Sequence, residues 1–109
     1  MPINPDTFTI HKEDGILRLE ALDDLSASHV SAQQAFLKTC LDQAGEAVVL
    51  DLRRAELVDS LGITLLLGLW KSCKEKGLAF RVEGVNAEIS RLFHLFSLDR
   101  VFEFREGQP

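Results

Sequence analysis

Residues 47–62 read AVVLDLRRAELVDSLG, and the order of chemical types in that stretch decides the fold. Ala47-Val48-Val49-Leu50-Asp51-Leu52 is a continuous apolar run rich in β-branched residues, which suits a central strand of a buried parallel sheet better than an edge. Residues 53–58 read as a loop. Asp59-Ser60 then supplies side-chain oxygens at the start of a helix that reaches Lys76 and stops at Gly77. A strand that empties through a short loop into a helix is one arm of a βαβ crossover.

Working outward, Thr7-Phe8-Thr9-Ile10-His11 alternates polar and apolar, the mark of a half-buried strand. Lys12-Glu13-Asp14-Gly15 reads as a turn, and residues 16–20 as a second strand, so the chain opens with a hairpin. Residues 22–25, LDDL, form a loop leading to Ser26 as the cap of a first helix. On that helix Val30, Leu37, Leu41 and Ala44 share one face beside Cys40, Ser31, Lys38 and Asp42 lie opposite, and Gly45 is the expected stop. Residues 78–83 are again of strand type. Asn86 caps a last helix that turns Ile89, Leu92, Phe93 and Phe96 inward, and residues 101–105 close the chain with a short strand.

The order β-β-α-β-α-β-α-β predicts an α/β fold. It is a single domain, residues 1–109, with a mixed, mainly parallel sheet of about five strands and three or more helices. The 109 residues suit one core, and a hydrophobic share of 46% lets that core form without metal or disulfide staples.

Composition removes several function classes. A net charge of −5 leaves no basic face for nucleic acid or for an anionic membrane surface. The longest apolar stretch, residues 63–70, is too short to span a bilayer, and the N-terminal MPINPDTFTIHKEDG has no signal-peptide pattern, so a soluble, cytoplasmic chain is expected. Cys40 and Cys73 fall on apolar helix faces outside any CxxC and read as small hydrophobes of a reducing compartment. His11, His29 and His94 sit on separate elements, with neither HExxH nor metal-ligand spacing. No phosphate-binding glycine loop is present, and D-S-L-G is not the G-x-S-x-G elbow of a hydrolase. The expectation is a protein without cofactor, metal or enzymatic activity.

The strand–loop–helix junction is what remains. A helix N-terminus offers unpaired N–H groups and about half a unit of positive charge, so it favours an anion. A phosphate on Ser60 would bring roughly −1.5 to −2 of charge and three acceptor oxygens, which the helix tolerates and nearby carboxylates such as Asp59 repel. On spacing alone Asp59-Ser60 reads first as a plain cap, and as a switch second. In the helix that follows, Ile63, Leu66, Leu69, Trp70 and Cys73 share one face, with Thr64, Gly68, Lys71 and Glu75 opposite and Leu61 and Leu67 flanking the polar side. Gly68 costs about 1 kcal/mol of helix propensity against alanine. Either a partner approaches the helix closely there, or Leu61 and Leu67 tuck under neighbouring loops and Gly68 is neutral.

Four segments carry a family likeness: ILRLEALDDLSA, VVLDLRRAELVDSLGITLLLGLW, KSCKEKG before LAFRVEGV, and ISRLFHLFSLDRVFEF. In this order they resemble the STAS family, whose best-known members are bacterial anti-sigma factor antagonists. The resemblance implies a partner switch in transcription regulation. The unphosphorylated domain binds an anti-sigma factor serine kinase, phosphorylation weakens the complex, and a serine phosphatase resets it. It makes Ser60 the phosphoacceptor and gives the family's loop aspartate to Asp23 or Asp24. The partner surface it implies comprises that loop, the turn Asp59, Leu61 and Gly62, and the helix positions Thr64, Leu67, Gly68 and Lys71. The sequence departs from the pattern in having no glycine before L-D and Leu61 in place of a second serine. STAS domains also serve as constitutive subunits of lipid-transport ATPase complexes and signalling assemblies, which is the alternative.

Overall fold

The computed structural model describes residues 8–25 and 30–107, with residues 30–32 as backbone only. Thr7, the cap expected at Ser26, His29 and the side chains of Val30 and Ser31 lie outside the described residues. Five strands, β1 (Phe8–Glu13), β2 (Ile16–Ala21), β3 (Ala47–Asp51), β4 (Ala79–Val85) and β5 (Glu103–Glu106), form one sheet in sequence order. β1 and β2 are antiparallel and every later neighbour is parallel, so β3 is the central strand its composition implied. Between the strands run α1 (Val30–Cys40), α2 (Ser60–Glu75) and α3 (Ala87–Leu95), with 3₁₀ turns at Leu41–Gln43 and Leu98–Arg100.

Alternation along the strands sorts the sheet into two faces. Leu17, Leu19, Val48, Leu50 and Val82 join Leu37, Cys40, Leu66, Leu69, Cys73, Ile89 and Phe93 of the helices in one core. The register places Arg18, Val49 and Arg81 in one row of the opposite face, and Glu20, Asp51 and Glu83 in the next. There Arg18 donates to Asp51 (2.9 Å) and to Glu83 (3.1 Å), and Arg81 donates to Glu83 (2.9 Å). Burial alone would push the Glu83 carboxyl up, but hydrogen bonds from Arg81 and Arg18 and their charges hold it below the usual carboxylate range.

Several expectations are corrected. Lys12 and Glu13 belong to β1, because the turn needs only Asp14 (φ 51°) and Gly15 (φ 81°), the two positive-φ residues of a type I′ hairpin. Gly45 does not stop α1. That helix tightens into the 3₁₀ turn after Cys40, and Gly45 instead packs on the hairpin, where its N–H and that of Glu46 donate to the Gly15 carbonyl at 3.0 and 2.8 Å. Phe96 is 54% exposed, because α3 ends at Leu95 and Ser97 turns left-handed (φ 58°), carrying residue 96 off the inner face. Phe93 takes the inner position, edge-on to Phe102 and Phe104. β4 runs on to Val85, and the last strand starts at Glu103 after a turn that buries Leu98 and Phe102.

Candidate functional site

The site is assembled where β3 leaves the sheet. The Leu52 N–H donates to the Glu83 carbonyl (2.8 Å) and the Asp51 carboxylate accepts the Arg53 N–H (2.9 Å), which fixes the exit of the chain. Ala55 N–H then closes a turn onto the Leu52 carbonyl, with Ala55 and Val58 buried beneath the loop.

The loop after β2 braces this segment from one side. Leu25 and Val58 form an isolated parallel bridge, in which Leu25 N–H donates to Leu57 O and Asp59 N–H donates to Leu25 O, both at 3.1 Å. One oxygen of Asp24 accepts two N–H groups of the loop, those of Glu56 (2.8 Å) and Leu57 (3.1 Å). Asp23 is exposed, and its carboxylate accepts the Asp24 N–H at 2.8 Å. The two aspartates of the L-D-D segment therefore act differently, since Asp24 holds the loop while Asp23 faces solvent beside it. From the other side the Asn86 side chain donates to the Glu56 carbonyl (3.2 Å) while its oxygen caps α3.

This braced loop delivers α2. Asp59 is the N-cap in extended conformation, with its carboxylate accepting the Gly62 N–H at 2.9 Å and its carbonyl the Ile63 N–H at 2.9 Å. Ser60 is the first helical residue and is exposed. The N–H groups of Ser60 and Leu61 stand at the helix end, where no intrahelical acceptor exists. Gly62 is buried against the Leu25 backbone: a Cβ there would overlap the Leu25 carbonyl oxygen and lie 2.9 Å from its carbon. The glycine of D-S-L-G is thus a packing requirement that seats the helix on the neighbouring loop.

The helix sorts the remaining positions by depth. Thr64 is exposed and its hydroxyl donates to the Ser60 carbonyl at 3.1 Å. Leu61 is 47% exposed beside Ser60, whereas Leu67 is half-buried against the core. Lys71 is exposed about 16 Å further along the axis at the helical rise. Gly68 turns towards α1, in a shallow groove with Gln34, Leu37, Lys38, Leu65 and Leu69, rather than onto the outer face its periodicity gave it. A Cβ at Gly68 would meet nothing within 4 Å. Leu65, which periodicity left off the apolar face, is buried because α1 covers that side of α2.

Loop residues that no periodicity reports complete the surroundings. Leu57 is 53% exposed, and beside it a cleft of about 230 Å³ opens between the loop and α3, lined by Glu56, Leu57, Val58, Glu88, Ile89 and Leu92. Among the described residues no group of three His, Cys, Asp or Glu could hold a metal ion, and no helix is long and apolar enough to cross a membrane. The arrangement leaves the Ser60 hydroxyl on the surface at the start of a helix whose entry loop is hydrogen-bonded from two sides.

Comparison with known proteins gives the lineage. The family model described as Mlab, STAS domain, matches residues 8–104. No curated protein sequence matches the chain. A Mycobacterium paratuberculosis protein described as an anti-sigma factor antagonist is similar in structure, with a TM-score of 0.80 at 20% identity over 91% of this chain and 84% of that one. The phosphorylated form of the Bacillus cell fate determinant SpoIIAA gives 0.68 at 16% identity, over 89% of both chains. A sulfate transporter family protein from Wolinella succinogenes gives 0.73 at 15% identity, over 84% of this chain and 77% of that one. At these identities the structural likeness speaks for the fold alone.

Proposed function

Because the chain belongs to the STAS domain family, we propose that it is an anti-sigma factor antagonist working as a phosphorylation-controlled partner switch. It acts in the cytoplasm, binds an anti-sigma factor serine kinase while Ser60 is unmodified, and is released when the kinase phosphorylates that residue. A serine phosphatase restores the binding form. The chain is the substrate in this cycle and does no chemistry of its own.

One observation carries the reading: Ser60 is exposed at the first position of a helix whose entry is braced from two sides. Such a mount holds the hydroxyl at a fixed place for in-line transfer from ATP, and the helix end accepts the product charge. Phosphate at Ser60 adds roughly −1.5 to −2 of charge next to the cap residue Asp59 and leaves the fold intact. A partner surface fitted to the neutral hydroxyl is then repelled. The phosphorylated solved relative supports the reading by precedent on the same fold.

A second reading is a constitutive subunit of a lipid-transport ATPase complex or signalling assembly; the sulfate transporter family protein that shares the fold supports only a place for such domains outside anti-sigma antagonism. Incubation with an anti-sigma factor serine kinase of the source organism and ATP, read by intact mass, decides between them. The switch requires one added phosphate, absent in Ser60→Ala. It also requires Ser60→Asp to lose kinase binding and Ser60→Ala to keep it. An unmodified mass with an active kinase, together with capture of a transporter ATPase, establishes the second reading instead.

A further inference from the structure

Among the described residues the exposed large apolar side chains are Leu57, Leu61, Leu95 and Phe96, and two of these bracket Ser60. Both brackets are held rigidly. The Leu57 N–H is bound by Asp24 and its carbonyl by Leu25, so its side chain stands out from a fixed backbone. Leu61 is fixed by the first turn of α2. The cleft floored by Ile89 and Leu92 continues the apolar surface on the Leu57 side.

The geometry points to Leu57 and Leu61 as a two-point apolar clasp by which the kinase that modifies Ser60 seats this chain. The kinase surface then carries two apolar pockets in a basic frame. This rests on the phosphorylation reading above. A serine on a folded helix end cannot be threaded through a peptide groove, so its orientation has to be set by the surface around it. Two anchors that bracket Ser60 along the chain fix its line of approach, whereas one would leave a pivot. Charge fixes the chemistry of the frame. Glu56 and Glu88 line the cleft beside Leu57, Asp59 caps the turn that carries Leu61, and the loop's basic residues, Arg53 and Arg54, lie at its start, where the Arg53 backbone adjoins Gly84. Lysine or arginine on the partner is the complement of that rim. The clasp also accounts for release, because phosphate would place about two charges between surfaces that docking strips of water.

The test is initial-rate phosphorylation by an anti-sigma factor serine kinase of the source organism that modifies the wild-type chain, with wild type, Leu57→Ser, Leu61→Ser, the rescue variants Leu57→Met and Leu61→Met, and Leu95→Ser with Phe96→Ser as distant controls. Each bracket serine raises KM about tenfold with kcat within about twofold, the scale of losing one half-buried leucine. Methionine recovers most of that loss, and the distant pair matches wild type. Glu56→Lys with Glu88→Lys raises KM further and removes its salt dependence. Serine variants with the wild-type KM, or a fall in kcat alone, overturn the clasp while leaving the switch intact. A wild-type chain that every active kinase of this class leaves unmodified overturns the switch and the clasp together.

Discussion

Gly62 lies flat against the carbonyl of Leu25, so the helix that carries Ser60 is seated on the loop after β2 with no room for a side chain between them. The neighbouring hydrogen bond from Asp59 N–H to the same carbonyl locks the two segments together at 3.1 Å. Placement of the serine is therefore decided by a contact between residues 37 positions apart in sequence.

Gly62→Ala forces that contact apart. The clash is with backbone, which has little freedom to yield, so the variant loses about 3 kcal/mol and about 15 °C in Tm. Gly68→Ala is the opposite case. Its Cβ meets open space and the substitution removes the helix-interior penalty of glycine, for a gain of about 1 kcal/mol. Thermal melts of the two variants check both signs.

Asp24→Ala removes one acceptor from two loop N–H groups, at a cost of about 1 kcal/mol. Hydrogen exchange localises the effect: the Glu56 and Leu57 amides lose protection in Asp24→Ala and keep it in Asp23→Ala. Equal loss in both variants contradicts the division of labour between the two aspartates.

Charge at position 60 leaves the domain folded. In Ser60→Asp the helix N-terminus favours the carboxylate by about 0.5 kcal/mol, and repulsion from Asp59 offsets a similar amount. The melting temperature stays within about 3 °C of wild type, and the far-UV spectrum is unchanged. Unfolding of this variant is incompatible with a switch that works by surface charge.

Acid weakens the open face of the sheet. The Glu83 carboxyl is depressed in the folded state, since the Arg81 and Arg18 interactions outweigh burial. Its contribution is complete above the unfolded value of about 4.5 and is lost as pH falls through the lower folded value. Chemical denaturation at pH 7 and near pH 3 shows a smaller pH-dependent loss for Glu83→Gln than for wild type.

Cys73 is inert in the native protein. Burial pushes its thiol up to about 11, and no part of the side chain reaches solvent. Iodoacetamide at pH 8 leaves it unmodified in the folded chain and alkylates it in denaturant. Fast native labelling at Cys73 contradicts the burial of the inner face of α2.

The site was partly legible in the sequence. A cap at Asp59 or Ser60, the start of α2 and the central place of β3 follow from residue chemistry within a few positions; the structure has the last two and makes Asp59 the cap. The roles of Asp24 and Gly62 were not legible. Their partners, the Glu56 and Leu57 amides and the Leu25 carbonyl, come from another segment, and a cap residue or a helix-breaking glycine looks the same in sequence whatever it touches. Leu57 leaves no mark in the sequence because loops have no period from which exposure can be read, and Phe96 leaves the inner face that the helical period gives it because α3 ends one residue before it.

By itself, then, the sequence determined the succession of strands and helices and the serine at a helix start. Hydrophobic periodicity and capping act over one or two turns of chain, and that information is local. Tertiary structure alone decided how tightly the serine is mounted and which leucines flank it in the open. It also decided which of two adjacent aspartates holds the loop, because each of those depends on what a distant segment places against it.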